Sequence, residues 1–312
     1  MTETVERMDR GERPALAFIG AGRAGSALAT ALAAAGYRVA AVHSRTPAHA
    51  QRLATALGAE VVDTALAAAR RADITFMTVP DGEIVRVGAT IAATGMPLPD
   101  RSLVHCSATH SPEVLAAARL TTASVGSFHP LQALAGQSSA PLLAGTSFVL
   151  DGPTPLRALL ATLVADLGGH VLDVPVRARA LYHAAAVLAG NAPLALLARA
   201  TDILEDAGVE RAAAHRALAA LLGGAASNAA AAEPTAALTG PVVRGDAATV
   251  ARHLDVLSAD PTTRELYRRL GLEMLALAGP GGRENVADAL ADAAPSRPAT
   301  AGSRVVAHPR VA

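Results

Sequence analysis

From Ala15 onward the chain alternates short apolar runs with segments of helical period. ALAFIG (15–20), RVAAVHS (38–44), EVVD (60–63), DITFMTVP (73–80) and SLVHCS (102–107) read as strands, rich in β-branched and aromatic residues and bounded by turn formers. Between the first of them lie helical patterns from Gly25 to Ala35, ended by Gly36, and over 47–57. ASVGSFHP (123–130) and TSFVLDG (146–152) extend the sheet, a helix follows near 154–167, and GHVLDVP (169–175) closes the series. Such alternation predicts a parallel α/β sheet. After Pro175 the texture becomes helical to about residue 293, with turn signals at AGV (207–209), GG (223–224), GP (240–241) and ADP (259–261). The expected organisation is a flexible lead-in over 1–13, a sheet domain over 14–174, a helical domain over 175–293 and a disordered Pro/Ser/Arg-rich tail over 294–312.

Composition changes this picture little. Lysine and arginine together number 27 and so do aspartate and glutamate, so no global field favours nucleic acid or an acidic membrane. The expected partner is a small molecule or a second copy of the chain. Hydrophobic residues make up 51% and aromatics 2%, so alanine, leucine and valine carry the apolar share and favour helix. The single cysteine, Cys106, permits no internal disulfide and fits a reducing cytoplasm. The N-terminal MTETVERMDRGERP has charges where a signal peptide needs an apolar run. The most apolar helix, 180–198, is interrupted by His183, Asn191 and Pro193, so no membrane span is expected.

The first chemical signal is FIGAGRAGSALATAL. Gly20, Gly22 and Gly25 form G-x-G-x-x-G between a strand and a helix, with Ala21, Arg23 and Ala24 completing the turn. The first glycine permits the turn, the second admits a pyrophosphate, and the third lets helix and strand pack closely. The helix N-terminus then offers free N–H groups and the positive end of its dipole. This is a Rossmann-type dinucleotide site, so the fold class is α/β: an N-terminal Rossmann-type parallel sheet followed by an all-helical C-terminal domain. Where an NAD-preferring site has an acidic residue after the second strand, this chain has Ser44, Arg45 and Thr46, which suit a 2′-phosphate. The expected cofactor is therefore NADP(H). Val79, Pro80 and Asp81, after the fourth strand, would border the middle of the cofactor; Asp81 alternatively caps the next helix.

Further candidates cluster where later strands end. Ser107, in HCSATHSPEVL, is placed to meet nicotinamide or substrate, and Ser111 before Pro112 reads as a helix cap. His129, in VGSFHPLQAL, can exchange a proton with a carbonyl or alcohol oxygen, with Ser127 and Gln132 as polar neighbours of the same cleft. His183 and Asn191 sit eight residues apart on the helix RALYHAAAVLAGNAPLALLARA, where both can border one cleft, and Pro193 kinks the helix there. A structural histidine and a purely structural kink are the alternative. AALTGPVVRGD (236–246) offers Thr239 and Arg244 to a carboxylate or phosphate, or else simply connects two helices with Asp246 as a cap. No metal is expected.

Together, FIGAGRAG, TVPD, HCSATHSPEVL, SFHPLQ, YHAAAVLAGN and LTGPVVRGD resemble the Rossmann-like reductase family carrying domain of unknown function 2520, over about residues 14–290. That family is similar to the 6-phosphogluconate dehydrogenase-like superfamily, with its ketopantoate reductases, pyrroline-carboxylate reductases and prephenate dehydrogenases. The resemblance implies a helical C-terminal dimerisation domain, hence a homodimer, with a substrate cleft between it and the Rossmann domain. Matching NAPL to the Asn-Pro-Leu turn of ketopantoate reductases puts His183 where those enzymes keep a catalytic lysine. His129-Pro130 resembles the His-Pro pair of prephenate dehydrogenases, whose histidine contacts the substrate hydroxyl. The expected activity is reduction of a small carbonyl (a ketopantoate-like 2-keto acid) or imine, with His183 or His129 supplying the proton and Asn191 orienting the oxygen. A non-catalytic NADP(H)-binding sensor and a prephenate-type oxidation are the alternatives.

Overall fold

The computed structural model describes residues 12–279 and 281–291, so the expected tail over 294–312 and most of the expected lead-in over 1–13 lie outside the described residues. The chain forms two compact units, Met1–Pro193 and Leu194–Ala312. The first unit is built on one eight-stranded sheet of order β3-β2-β1-β4-β5-β6-β7-β8. Its strands are β1 (Leu16–Ile19), β2 (Val39–His43), β3 (Glu60–Val61), β4 (Ile74–Met77), β5 (Leu98–His105), β6 (Thr122–Pro130), β7 (Ser147–Asp151) and β8 (His170–Val171). Helices α1 (Arg23–Ala34), α2 (Pro47–Leu57), α3 (Ala65–Arg70), α4 (Asp81–Ala92) and α5 (Thr154–Asp166) cover it, and α6 (Arg179–Gly190) ends the unit.

Both faces of the sheet are buried, as the continuous apolar strands require. Leu16 and Phe18 pack on one side with residues of α1, α2 and α5, while Ala17 and Ile19 pack on the other with residues of α3 and α4. All four phenylalanines of the chain stand in a row on the first side. Ring centroids lie 5.3 Å apart for Phe18–Phe76, 5.4 Å for Phe76–Phe128 and 4.9 Å for Phe128–Phe148. That row ties β1, β4, β6 and β7 into one rigid platform, each pair adding about 1 kcal/mol beyond area burial.

The sheet departs from the expected parallel arrangement at one edge. β1 to β6 pair in parallel, but β7 runs antiparallel to β6 and β8 is parallel to β7. The reason lies in the 131–146 connection, which holds only the 3-10 stretch Gln137–Leu143 and no helix able to carry the chain across the sheet. The chain therefore turns back beside the strand it has just left.

The second unit is helical: α7 (Ala192–Asp206), α8 (Arg211–Ala231), α9 (Pro234–Ala237), α10 (Ala247–Val256), α11 (Pro261–Ala278) and α12 (Glu284–Ala291). Its core is small, formed by Val242, Val250, Leu254, Val286 and Leu290. The 21 residues of α8 bury only Ala214. The expected long helix is broken at Asn191, between α6 and α7, with Pro193 in the first turn of the new helix. The contact boundary falls there, later than the expected 174/175 junction, because Arg179 and Tyr182 at the start of α6 bind residues of the sheet. By length and composition alone Val176–Asp206, at a mean hydropathy of 1.4, does reach the range of a membrane span. Arg179 and Tyr182 near its start bind residues of the sheet, and the helix breaks at Asn191.

Candidate active site

The glycine turn folds as its spacing requires. Gly20 has φ +106°, and a Cβ there would stand 2.7 Å from the Thr78 carbonyl oxygen, so only glycine fits. A Cβ at Gly25 would meet the Gly20 carbonyl at 2.3 Å and Thr78 Oγ1 at 2.4 Å, which sets the close approach of α1 to β1 and β4. At Gly22 a Cβ would meet nothing within 4 Å; the space over this residue is open to a ligand. Gly22 also occupies the N-cap of α1, no side chain caps that end, and no acid lies in its first turn. Free N–H groups and the positive helix end therefore face the opening, the arrangement a pyrophosphate needs.

A cavity of about 490 Å³ runs from this turn along the ends of β2 and β4. Gly20, Ala21, Gly22, Ser44, Arg45, Thr46, Val79 and Pro80 all line it, so eight of the residues singled out for the cofactor share one wall. Arg23 lines an adjoining cavity, and Ala24 a third. Asp81 is not a cap: Pro80 holds that position and Asp81 opens α4. Its carboxylate accepts instead from Ser107 Oγ (2.7 Å) and Thr109 Oγ1 (3.3 Å), and His110 Nδ1 lies 3.5 Å away. Ser107 is buried and organises this cluster, accepting from the backbone N–H of Thr109 and of His110. Ser111 fills its cap position ahead of Pro112, over a 3-10 helix and without a side-chain cap bond.

The third cavity, about 140 Å³, opens where β4, β5 and β6 end, lined by Thr78, Cys106 and His129 with Ala24, Leu28, Pro130, Gln132 and Leu134. Ligands of parallel sheets collect at such carboxyl ends. Burial pushes the Cys106 thiol up to about 12, so it is no thiolate. His129 Nδ1 lies 2.8 Å from the Tyr182 hydroxyl, and the two rings meet edge to face at 5.6 Å. Burial first, then the nearby His183 and Arg179, hold the His129 pKa down at about 4. The ring is therefore neutral at pH 7, because desolvation above all opposes its charge. Burial likewise raises the Tyr182 phenol to about 12.

Beneath this pair lies Arg179, three residues before Tyr182 and four before His183, hence on the same face of α6. Its side chain is 2% exposed; Nη2 donates to Ser127 Oγ at 3.3 Å and reaches Asp151 Oδ2 at 3.5 Å, while Nε and Nη1 have no partner. Ser127, expected in the cleft, is instead completely buried, because this guanidinium claims its hydroxyl. Gln132 lines the cavity, but its amide holds the 131–146 connection through the Leu142 carbonyl (3.1 Å) and Thr146 Oγ1 (3.4 Å). His105, also buried, accepts from the Ser107 N–H at Nδ1 (3.3 Å) and donates from Nε2 to the Ser111 carbonyl (3.2 Å), and burial lowers its pKa to about 4.

His183 and Asn191 are exposed. Thr239 and Arg244 belong to the second unit, on an exposed part of the loop before α10, where Asp246 caps the helix by accepting from the Thr249 N–H (3.0 Å). Sequence reasoning passed over Arg179 and Tyr182 as site residues. Their i, i+3, i+4 spacing with His183 was the signal that could have found them.

A glycine turn with an open second position, a phosphate-sized opening at a helix N-terminus and a polar group at the ends of β4 to β6 define a Rossmann oxidoreductase. The sequence matches agree. Residues 15–108 match the family described as NADP oxidoreductase, coenzyme F420-dependent, and residues 146–274 match domain of unknown function DUF2520. The chain thus joins an NADP-dependent oxidoreductase domain to a DUF2520 domain. No curated protein matches the sequence. Among solved structures, protein BF3122 from Bacteroides fragilis has a TM-score of 0.71 at 24% identity, over 85% of this chain and 98% of that one. Pyrroline carboxylate reductase from Plasmodium falciparum, solved with NADP bound, has a TM-score of 0.56 at 14% identity, over 86% and 99%. An imine reductase from Pseudomonas sp. has a TM-score of 0.53 at 18% identity, over 90% and 92%. At these identities the three likenesses speak to the fold.

Proposed function

We propose that this protein is an NADPH-dependent reductase of a small carbonyl compound, working at the cavity bounded by Thr78, Cys106 and His129. The observation that carries the reading is the 2.8 Å bond between His129 and Tyr182 at the ends of the sheet's central strands. Gly20 to Gly25 and the free end of α1 would hold the pyrophosphate, and Ser44, Arg45 and Thr46 the 2′-phosphate. When bound, the cofactor supplies a hydride to the carbonyl carbon. The chain's part is then to receive the charge that develops on the oxygen. The neutral His129 ring and the Tyr182 hydroxyl commit one of their two protons to the bond between them, so the pair supplies a single hydrogen bond, from one group or the other. The buried Arg179 charge favours a negative oxygen nearby. His183, exposed on the same face of α6, has access to solvent protons and is assigned the role of proton donor, with Asn191 as an orienting group.

A 2-keto acid of the ketopantoate type fits this electrostatic bias. An imine is the second reading, favoured by the pyrroline carboxylate reductase and imine reductase likenesses. The functional unit we propose is a homodimer through the helical unit: α8 buries almost nothing by itself, and Leu221 on it is 69% exposed. The test is NADPH oxidation over a panel of 2-keto acids, aldehydes and cyclic imines, repeated with His183→Ala, His129→Ala and Tyr182→Phe. Turnover of one class, lost in these variants, supports the reading. Full turnover in both histidine variants overturns the assignment, and tight NADPH binding without oxidation of any compound supports a non-catalytic binding protein instead.

A further inference from the structure

A cavity of about 220 Å³ adjoins the dinucleotide crevice on the far side of Gly22. The two openings share Ala21, Gly22 and His49, so they are continuous along the glycine turn. Three basic side chains converge on the smaller one from two elements: Arg23 from the first turn of α1, and His49 and Arg52 from α2. Residues 135–137, from the connection between β6 and β7, also line it.

The charge distribution is lopsided. No carboxylate lines this cavity, and neither Arg23 nor Arg52 has an ion pair or hydrogen bond among the described residues. Arg45 is differently placed, because Glu83 and Asp63 line the same crevice. Glu83 is held below the usual carboxylate range by its bond to Arg86 first, with the charge of Arg45 contributing. Part of the Arg45 field is therefore already answered by protein, whereas the Arg23–Arg52 field is not. An open pocket with two unanswered guanidiniums next to a nucleotide crevice suits a phosphate dianion, which guanidinium forks bind bidentately.

We propose that the 2′-phosphate of NADP(H) is gripped from this second side by Arg52, Arg23 and His49, so that Arg52 is a determinant of the choice between NADPH and NADH. The inference rests on dinucleotide binding at the glycine turn and is independent of which compound accepts the hydride. His49, which lines both openings, marks where the phosphate sits, with Ser44, Arg45 and Thr46 on its other flank. Arg52 is exposed and unpaired, so its replacement leaves the fold intact.

The experiment titrates NADPH and NADH separately into the full-length protein, its Arg52→Ala variant and its Arg52→Lys variant, following cofactor fluorescence. Loss of a charge-assisted contact predicts that Arg52→Ala weakens NADPH about tenfold or more and leaves NADH unchanged. Arg52→Lys keeps the charge and loses the fork, so it falls between the two. Equal weakening of both nucleotides shows that Arg52 faces the shared pyrophosphate, and no weakening of either shows that it faces solvent; either result overturns the proposal. Wild-type protein that binds NADH as tightly as NADPH removes the preference itself, and wild-type protein that binds neither removes the cofactor reading beneath it.

Discussion

Acidification acts on two buried imidazoles. His105 and His129 both have their pKa lowered from 6.5 to about 4, in each case chiefly by burial. His105 has a geometric reason as well: Nδ1 accepts from the Ser107 N–H, so a second ring proton would point one donor at another. A fall from 6.5 to about 4 is worth roughly 3 kcal/mol for each ring. The unfolded chain binds these protons more readily than the folded one. Their contribution is thus fully favourable above 6.5 and is lost as the pH falls through that value toward 4. Within that window each ring steepens the dependence by about 1 kcal/mol per pH unit, before most carboxylates begin to titrate. Urea unfolding without cofactor, stepped downward from neutral pH, reads the combined slope, and His105→Gln should remove about half of it. Ring-carbon NMR shifts locate the two titrations directly. Stability that stays flat as the pH falls from neutrality to about 5 refutes the reasoning, because buried neutral rings must then cost nothing to protonate.

Three further outcomes are expected. Gly25→Ala forces the Gly20 carbonyl and Thr78 away from an added methyl and should cost about 1–3 kcal/mol in urea unfolding, with weaker NADPH binding in direct titration; an unchanged midpoint and affinity would show that the turn yields freely. Arg179→Met removes a buried cation with two unpartnered nitrogens, so stability should change little or rise, while NMR should show the His129 pKa climbing from about 4; a loss well above about 3 kcal/mol would mean that the guanidinium is properly satisfied. Asp260 caps α11 by accepting from the Thr262 and Thr263 N–H groups at 3.0 and 3.1 Å, and Asp260→Ala should lower stability by about 1 kcal/mol in the same assay, whereas no loss would deny the cap.

Local chemistry explains what could be read along the chain. The G-x-G-x-x-G turn was legible because each glycine answers a separate steric demand within a few residues: φ at Gly20, open space at Gly22, contact at Gly25. The break at Asn191 was legible because proline cannot donate inside a helix. The reversed β7 was not, since a strand's own residues do not encode its direction; the length and content of 131–146 decide it. His129 was correctly placed at the strand end, yet its charge state was hidden, because burial and the nearness of Arg179 arise only after folding. Ser127 was misread for the same reason: two residues before His129 and on the same face of β6, it is sealed beneath Arg179, which only the folded chain places there.

Ser127 and Asp151 are register partners across the antiparallel β6–β7 edge, and a single guanidinium nitrogen of Arg179 reaches toward both. A slip of one residue in that pairing would turn one of them to the wrong face and leave a buried cation with less still to bind. The seat of α6 therefore depends on the β6–β7 register, and the meeting of Tyr182 with His129 depends on that seat. The His129–Tyr182 bond thus depends on a strand alignment in which Tyr182 itself takes no part.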